Sequence, residues 1–229
     1  MGRRVRHFNP NDLDAVKGRC CLDSRFITGV ADGAKVGSWP SRGHSSFTLT
    51  QIVNSRRPTF RLREQNGSPT VTFEASSQQV LQGDVPPIAP NTAWPYEIMY
   101  ATPLGSVINA TTDRSSIGGF NSGFWTIQSQ RSGIAIVNTS NSQVNCFGAT
   151  ASVGSSGRDA VNRLFAFNGR TVFTSTNANL NLSTIRLGSA NLYQDGSACA
   201  VSVAVGTLSS SARNRVLTHY AYSFKIPVG

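Results

Sequence analysis

The stretch Arg163-Leu164-Phe165-Ala166-Phe167-Asn168-Gly169-Arg170-Thr171-Val172-Phe173-Thr174 contains two short apolar runs on either side of an Asn-Gly pair. Asn-Gly is a strong signal for a β-hairpin, because both central residues of a type I′ turn need a positive φ angle. We therefore predict two antiparallel strands over residues 163–167 and 171–174.

Similar segments recur along the chain. They are bounded by Gly, Asn, Ser or Pro, at the spacing typical of an antiparallel sandwich. In Val71-Thr72-Phe73 and Val201-Ser202-Val203-Ala204-Val205 every second side chain is apolar, which indicates half-buried strands and places Phe73 in the core. The other strands are predicted over residues 47–53, 70–73, 124–128, 133–137, 184–187 and 198–205.

Turn residues and one helical pattern complete the outline. Asn66-Gly67-Ser68-Pro69 and Asp195-Gly196 are predicted turns. Residues 82–92 contain three prolines and are predicted to form an exposed loop, because proline cannot donate to a central strand. Residues 208–220 have apolar side chains at helical spacing, and Ser209 or Ser210 is placed to cap the helix.

Composition narrows the fold class. Only 14% of the 229 residues are charged, which is low for a helical protein, and 39% are apolar, which is high for a disordered one. We predict an all-β protein, a two-sheet antiparallel β-sandwich with one short C-terminal helix. Residues 9–229 are expected to form this single domain after a basic arm over residues 1–8. No apolar run resembles a signal peptide or a membrane span.

Positive charge is concentrated at the start of the chain. Residues 1–63 contain 12 of the 21 Lys and Arg residues and four Asp residues, a net charge of +8, whereas residues 64–229 carry +2. This distribution favours docking on an acidic protein, nucleic acid or anionic polysaccharide, and a solvated basic face is the alternative. No nucleic-acid motif surrounds the arginines. The candidate docking residues are Arg3, Arg4, Arg6, Arg56 and Arg57.

The four cysteines are unevenly spaced. Cys20 and Cys21 are adjacent, and Cys146 and Cys199 lie far from them. Neighbouring residues of a strand point to opposite faces, so Cys20 and Cys21 are not expected to pair with each other. We predict four reduced thiols, which act as small buried hydrophobes in a reducing compartment. A disulfide framework and a metal-binding or reactive thiol are the alternatives.

Several motifs follow one another along the chain: Asn9-Pro10-Asn11-Asp12-Leu13, Leu22-Asp23-Ser24, Asp32-Gly33-Ala34-Lys35-Val36-Gly37-Ser38-Trp39, Arg57-Pro58-Thr59-Phe60 and Ile185-Arg186-Leu187-Gly188. Their order resembles that of lectin-like modules of the concanavalin A and laminin-G type, which occur in bacteriophage tail and virion proteins and in bacterial surface proteins. The resemblance implies a jelly-roll sandwich. It also implies a structural role in a virion or the binding of carbohydrate.

Catalytic and metal-binding patterns are missing from the sequence. Glucan hydrolases with this sandwich carry Glu-x-Asp-x-x-Glu, whose carboxylates act as acid and as nucleophile or base. Glu64, Glu74 and Glu97 have no second carboxylate two or five positions away. Asp23 and Asp32 offer carboxylates to a Ca²⁺ ion, as in related sandwiches, but they lack EF-hand-like spacing and are predicted to cap turns. We predict a non-enzyme without a cofactor or metal.

The tryptophans are candidates for a sugar-stacking or interface surface. Trp39 falls at a core position of the resembled family and is predicted to be buried. Strand alternation places Phe124 and Trp125 on opposite faces, so one of them is expected to be exposed. Trp94-Pro95-Tyr96, beside the proline-rich loop, is either a binding patch or loop packing. The ligand or interface candidates are therefore Trp94, Tyr96 and Trp125.

Together these features predict a structural virion protein of a bacteriophage, either a capsid decoration protein or a tail or fibre component. The motif order, the unpaired thiols, the lack of an export signal and the basic N-terminal third all favour this function. The expected partners are capsid or tail proteins, contacted by multiple copies or a homo-oligomer, with no membrane partner. The alternative is a carbohydrate-binding adhesion module that recognises host surface glycans, and one phage protein can combine both functions.

Overall fold

A computed structural model has antiparallel β-sheets and one helix, near the C-terminus, in the part of the chain that it describes, as the composition and strand pattern predict. Within the described residues, no helix is long and apolar enough to cross a membrane. The structure describes residues 20–42, 48–84, 96–102, 114–120, 124–131, 134–139, 142–147, 152–158, 163–167, 170–175, 184–188, 196–205 and 209–225, with side chains in 21–42, 48–84, 186–188, 196–202, 209 and 211–225.

The described strands of the sandwich form three sheets. The six-stranded sheet has the order β1 (Cys20–Asp23), β17 (Ala200–Val205), β7 (Tyr96–Thr102), β12 (Ser152–Arg158), β13 (Arg163–Phe167) and β14 (Arg170–Ser175). The eight-stranded sheet has the order β11 (Ser142–Phe147), β10 (Ile134–Thr139), β9 (Phe124–Arg131), β8 (Arg114–Phe120), β15 (Thr184–Leu187), β6 (Leu81–Asp84), β3 (Thr48–Thr50) and β2 (Ser38–Pro40). The small sheet has the order β16 (Gly196–Ala198), β5 (Ser68–Phe73) and β4 (Thr59–Gln65).

The predicted hairpin is confirmed by the pairing of β13 with β14. Phe167 pairs with Arg170, so only Asn168 and Gly169 remain between the strands, although these two residues lie outside the described part. The second turn is described directly, since Asn66 has a φ angle of 48° and Gly67 one of 86°. Both angles are in the left-handed region, as a two-residue turn between β4 and β5 requires.

Three predicted elements have different bounds in the structure. The strand predicted over residues 47–53 is β3, which ends at Thr50. The strand predicted over 198–205 is divided at Cys199, with β16 in the small sheet and β17 in the six-stranded sheet. The loop predicted over 82–92 was wrong at its start, because β6 continues to Asp84 and pairs with β15. The prolines of that segment follow β6 and lie outside the described residues.

The described core lies where the three sheets meet. Leu22 and Val201 pair across β1 and β17, and they share one cluster with Trp39 and Leu49 of the eight-stranded sheet and with Phe73 of the small sheet. All five side chains are buried, which confirms the predicted positions of Trp39 and Phe73. The alternation of apolar residues in the strands therefore identifies the face that turns toward the core.

The helix α1 (Ser210–Phe224) packs across β7 and β12 of the six-stranded sheet. Its N-terminus is capped as predicted, since the Ser209 hydroxyl accepts a hydrogen bond from the Ala212 N–H at 3.1 Å. On β17 the side chain of Ser202 is buried as well as that of Val201, and its hydroxyl is hydrogen-bonded to the Tyr220 hydroxyl of α1. The strand is thus covered on both faces, which the alternation of its residues did not predict.

The C-terminus of α1 is joined to the hairpin of β4 and β5. The Asn66 side-chain amide donates to the Lys225 carbonyl at 2.8 Å, and the Gln65 side-chain amide donates to the Phe224 carbonyl at 3.2 Å. The ammonium group of Lys225 donates to the Asn66 carbonyl in return. These bonds satisfy carbonyls that a helix end leaves without a partner inside the helix, and they fix the helix against the sandwich.

Candidate binding surface

An exposed loop of residues 51–57 joins β3 to β4. Ile52 at its tip is 87% exposed and Val53 is 45% exposed. Single apolar residues are common on protein surfaces, and here two adjacent aliphatic side chains are exposed on the same loop. The short 3-10 turn Asn54–Arg56 follows these residues.

The loop is held in shape by Arg57. Its guanidinium group donates from Nε to the Gln51 carbonyl at 2.8 Å and from Nη2 to the Ile52 carbonyl at 3.3 Å. The Gln51 side chain makes two further hydrogen bonds. Its oxygen accepts from the Val53 N–H at 3.0 Å, and its amide donates to the Val80 carbonyl at 3.2 Å. A loop with so many internal bonds presents Ile52 and Val53 in a fixed arrangement, which lowers the entropy lost on binding.

Gly37 makes room for the guanidinium group. A Cβ atom at this position would lie 2.9 Å from both Cζ and Nε of Arg57, closer than real Cβ contacts allow. The Gln51 N–H also donates to the Gly37 carbonyl at 2.9 Å. The glycine of the segment Gly37-Ser38-Trp39 therefore has a local physical reason, which is the position of the Arg57 side chain.

The charge of Arg57 is not cancelled by these bonds, because carbonyl oxygens are neutral acceptors. Arg56 is exposed on the same loop. Ile52 and Val53 are thus accompanied by two positive charges, and the loop is suited to a partner that combines an apolar contact with acidic groups.

A second surface lies where β1 runs into the 3-10 turn Ser24–Phe26. The Asp23 carboxylate caps this turn by accepting from the Arg25 N–H at 3.0 Å, and it also forms an ion pair with the Arg25 guanidinium at 2.5 Å. Burial alone would lower the pKa of Arg25, but the bonds to Asp23 raise it above its ordinary value. The Ser24 N–H donates to the Cys199 carbonyl at 2.9 Å, which joins the turn to the core.

Phe26 and Arg42 form the exposed part of this second surface. The Phe26 ring is 43% exposed, and the central carbon of the Arg42 guanidinium lies 3.4 Å from the ring centroid. The Arg42 N–H donates to the Cys21 carbonyl at 2.9 Å, so the main chain beneath the guanidinium is fixed to β1. We call Arg25, Phe26 and Arg42 the arginine–phenylalanine corner.

The carboxylate of Glu64 is occupied by hydroxyl groups. It accepts from the hydroxyls of Thr70, Thr72 at 2.6 Å and Ser197 at 3.1 Å. These bonds hold a bulge of β4, in which the register shifts between Arg61 and Gln65. In the part of the chain whose side chains are described, no group of three or more His, Cys, Asp or Glu residues is placed to hold a metal ion. The role of Glu64 in this geometry is to secure the bulge.

Two thiols lie next to the arginine–phenylalanine corner. Cys21 and Cys199 are buried and unpaired. Burial raises the pKa of the Cys21 thiol, with a further contribution from the Asp23 carboxylate. Burial also raises the pKa of Cys199 well above its ordinary value, and the negative charges of Glu64 and Asp23 act in the same direction. Both thiols are therefore neutral and weakly nucleophilic near pH 7, as expected for buried hydrophobes.

The residues predicted as ligand or interface groups fall in different places. Tyr96 begins β7 of the six-stranded sheet and Trp125 lies in β9 of the eight-stranded sheet, so they belong to separate sheets and only their main chains are described. Trp94 and the N-terminal Arg3, Arg4 and Arg6 lie outside the described residues. These assignments stay predictions.

Other predicted residues are resolved in more detail. Asp23 caps a turn as expected, and Asp32 accepts from the Leu62 N–H at 2.9 Å. His219 lies beside Arg25, with its Nε2 atom 3.4 Å from the Arg25 Nη2 atom. Arg56 and Arg57, predicted to dock a partner, flank the exposed apolar pair, and Arg57 also supports the loop.

Sequence reasoning missed Ile52, Val53, Phe26 and Arg42. The sequence pattern places Ile52 and Val53 in a strand, although the following Asn54-Ser55 is a turn signal. Arg42 had no sequence signal that connected it with Phe26, because the two residues are brought together only by the tertiary structure.

Comparison with known proteins identifies structures with a similar fold but does not assign the chain to a family. No protein-family model matches the sequence, and no curated protein matches it. Among solved structures, the binding domain of botulinum neurotoxin serotype D aligns with a TM-score of 0.64 at 11% identity, covering 90% of this chain and 51% of that one. The binding domain of botulinum neurotoxin DC, solved in complex with rat synaptotagmin II, aligns with a TM-score of 0.62 at 11% identity, covering 89% and 52%.

A third similar structure aligns with this chain over nearly its whole length. Domain 4 of an extracellular GH43 arabinanase from Geobacillus stearothermophilus, in complex with arabinotriose, aligns with a TM-score of 0.50 at 10% identity, covering 88% of this chain and 98% of that one. The chain spans about half the length of the two neurotoxin binding domains. At these identities the similarity establishes the fold, a β-sandwich shared with binding domains.

Proposed function

We propose that this chain is a non-catalytic binding module that attaches to an acidic partner in a larger assembly. The observation that carries the proposal is the loop of residues 51–57, where Arg57 holds Ile52 and Val53 in an exposed position. Full burial of one such aliphatic side chain stabilises a complex by about 1.5–3 kcal/mol. Arg56 supplies charge for the acidic groups around that contact.

The assembly that we propose is a bacteriophage virion, with the chain as a capsid decoration protein or a tail or fibre component. This proposal rests on the order of the sequence motifs and on the excess of Arg and Lys in residues 1–63. Multiple copies on one particle would make a modest contact at each copy sufficient. In this proposal Arg3, Arg4 and Arg6 of the N-terminal arm add to the attachment made by the loop.

The test is co-sedimentation of the chain with purified particles that carry it, over a salt series. We expect Ile52→Ser/Val53→Ser and Arg56→Gln each to reduce the bound fraction, and removal of residues 1–8 to reduce it further. The matched control is Leu62→Ser, which changes an exposed apolar residue of β4. Equal retention of the wild type and all variants at every salt concentration would contradict the proposal.

The second candidate function is carbohydrate binding, and the arginine–phenylalanine corner favours it. Exposed aromatic rings beside polar donors are suited to sugars, which have both apolar C–H faces and hydroxyl groups. One similar structure was solved with arabinotriose. A glycan array is the direct test: reproducible binding that Phe26→Ala weakens is expected, and no binding to any glycan would contradict this candidate.

A further inference from the structure

We propose that Arg57, Lys35 and Arg61 form a basic row that binds an extended acidic segment of the partner protein, in which every second residue carries a carboxylate. This inference deepens the first proposed function, on which it rests, by naming the part of the partner that is bound. Lys35 and Arg61 lie outside the loop of residues 51–57, so the basic row and the loop can be tested separately.

The basic row is built on a short antiparallel pairing between β4 and the segment that precedes β2. The Gly33 N–H donates to the Phe60 carbonyl and the Phe60 N–H donates to the Ala34 carbonyl, both at 2.8 Å. Lys35 is paired with Thr59 in this arrangement. Paired residues of adjacent strands have their side chains on the same face, and the Lys35 ammonium group donates to the Thr59 hydroxyl at 3.3 Å.

Arg57 and Arg61 lie on that same face, one on each side of Lys35. They share the face because side chains of alternate residues in an extended chain point the same way. A Cβ atom at Gly37 would lie 2.9 Å from Arg57 Nε, and one at Gly33 would lie 3.9 Å from Arg61 Nη1. The two guanidinium groups therefore reach over the neighbouring segment at positions two residues before and two residues after Lys35.

The positive charge of the basic row is available to a ligand. Lys35 and Arg61 are exposed. Among the side chains that the structure describes, no carboxylate forms an ion pair with any of the three cations. The nearby carboxylates have other partners, since Asp32 accepts from the Leu62 N–H and Glu64 accepts from three hydroxyl groups. An acidic ligand can thus complement the charge of this surface.

The spacing of the basic row fits an extended polypeptide. Alternate residues of a strand are about 6.6 Å apart, so Arg57, Lys35 and Arg61 present cations at steps of about that length. An extended peptide rises by about 3.3–3.6 Å per residue, so carboxylates on every second residue recur at about 6.6–7.2 Å. The two repeats match over three positions, and the guanidinium groups can donate paired hydrogen bonds to carboxylates.

The surroundings of the basic row favour a polypeptide over a nucleic acid or a polysaccharide. Binding sites for those polymers commonly use exposed aromatic rings, on which bases or sugars stack. Phe60 is the only aromatic residue in the segments 31–37 and 51–64, and it is 2% exposed. The basic row instead ends beside Ile52, whose carbonyl accepts from Arg57. A protein partner can place an aliphatic side chain against Ile52 and carboxylates on the basic row.

The experiment is fluorescence anisotropy of the full chain with two labelled peptides of equal length and composition, in physiological salt. One peptide alternates Glu and Thr, and the other has all its Glu residues in one block. Exposed ion pairs are individually weak, so we expect three pairs in register to make the alternating peptide bind about fivefold more tightly than the block peptide. Lys35→Gln/Arg61→Gln should remove this preference.

Arg215→Gln is the matched control for Arg61→Gln. It removes the same charge from an exposed arginine of α1, at about 13 Å along the helix from Phe224, the residue that is bonded to the β4 end. We expect Arg61→Gln to weaken binding of the alternating peptide about twofold to threefold and Arg215→Gln to leave it unchanged. Equal losses for the two variants would overturn the basic row, since binding would then follow net charge alone.

The other outcomes of the titration also decide the matter. Equal affinity for the two peptides, or no binding of either, would overturn the basic row. Oligothymidine and a sulfated oligosaccharide serve as competing probes. If either bound more tightly than the alternating peptide and lost affinity in Arg61→Gln, the polypeptide partner would be overturned.

Co-sedimentation with the particle separates the basic row from the loop. We expect Lys35→Gln/Arg61→Gln to reduce the bound fraction, as Ile52→Ser/Val53→Ser does. Full retention of the first variant together with loss of the second would overturn the basic row and leave the proposed function standing. Full retention of both variants would overturn the basic row and the proposed function together.

Discussion

The turns Ser24–Phe26 and Asn54–Arg56 are both short 3-10 turns fixed by a neighbouring arginine, yet one lies against the helix and the other is exposed. Arg25 is held by the Asp23 carboxylate and lies over Phe224 of α1. Arg57 is held by the carbonyls of Gln51 and Ile52 and by the Asn54 side chain. The first arrangement pairs two opposite charges, and the second pairs one charge with neutral acceptors.

This difference explains what each turn can do. An arginine whose charge is offset by a carboxylate can be partly buried, so the first turn can support the packing of α1 on the sandwich. An arginine bound only to carbonyls keeps its full charge and has to stay near water. The second turn is therefore suited to presentation of a charged and apolar surface, and the first to stability.

The largest expected effect is at the buried turn. Asp23 is 5% exposed and the Arg25 side chain 28% exposed, so Asp23→Asn leaves a partly buried arginine without its counter-charge. We expect a loss of about 2–4 kcal/mol in the free energy of unfolding, measured with urea. The control is Asp32→Asn, at an exposed carboxylate that also accepts a main-chain N–H. Equal small losses for both variants would contradict the structural role of the Arg25 pair.

The second expected effect is a loss of folding stability at alkaline pH. Cys21 and Cys199 lie beside the buried turn, and the pKa values of both thiols are raised. An unfolded thiol titrates near pH 8.5. Above that pH the unfolded chain releases protons that the folded chain retains, so stability falls as pH rises, by up to about 1 kcal/mol per thiol at about pH 9.5. The larger contribution is expected from Cys199, whose pKa is raised further than that of Cys21. Below about pH 7 these thiols should make almost no contribution to the pH dependence of stability.

Urea unfolding between pH 7 and 9.5 measures this slope, with Cys21→Ala/Cys199→Ala as the control. The variant will be less stable at pH 7, since it leaves small cavities, but its stability should fall less steeply between pH 8 and 9.5. Identical slopes for the wild type and the variant would show that other groups cause the alkaline loss.

The fold was predictable from sequence because its signals are local. The alternation in Val71-Thr72-Phe73 and the Asn66-Gly67 turn depend on neighbouring residues, and both appear in the structure as predicted. The end of β3 was not predictable in this way. Apolar residues continue through Val53, but the strand stops at Thr50 because Arg57 and Gly37 draw the following main chain into a separate loop.

The candidate surfaces were only partly predictable. Arg56 and Arg57 were identified from their charge, while the support that Arg57 gives to the loop depends on Gly37, twenty residues earlier. Phe26 and Arg42 meet because β1 and the segment after β2 are adjacent in space, and α1 reaches the same corner from the C-terminal end of the chain. Contacts of this range leave no periodic pattern in a single sequence.

A smaller effect tests the support of the exposed loop. Gly37→Ala places a Cβ atom against the Arg57 guanidinium and should displace it from the carbonyls. We expect a loss of about 1 kcal/mol, because the freed carbonyls can bond to water. In an Arg57→Ala background the same change should cost nothing further, and urea unfolding of the four proteins forms a double-mutant cycle. Additive losses would mean that Gly37 and Arg57 do not act together.

The smallest expected effect on stability is at Ile52, and Ile27 beside the buried turn is the residue with which we compare it. Ile27 directly follows the turn Ser24–Phe26 and is buried in the core cluster, whereas Ile52 lies two residues before the turn Asn54–Arg56 and is 87% exposed. Ile27→Ser should therefore cost about 3 kcal/mol or more, and Ile52→Ser should change stability by less than about 0.5 kcal/mol. Because the same substitution removes the same atoms at both sites, urea unfolding of the two variants compares burial alone.

If Ile52→Ser destabilised the chain as much as Ile27→Ser, the loop would be part of the core and its exposed surface would be unavailable to a partner. If Ile52→Ser leaves stability unchanged and reduces attachment to the particle, then Ile52 contributes to binding, whereas Ile27 contributes to stability.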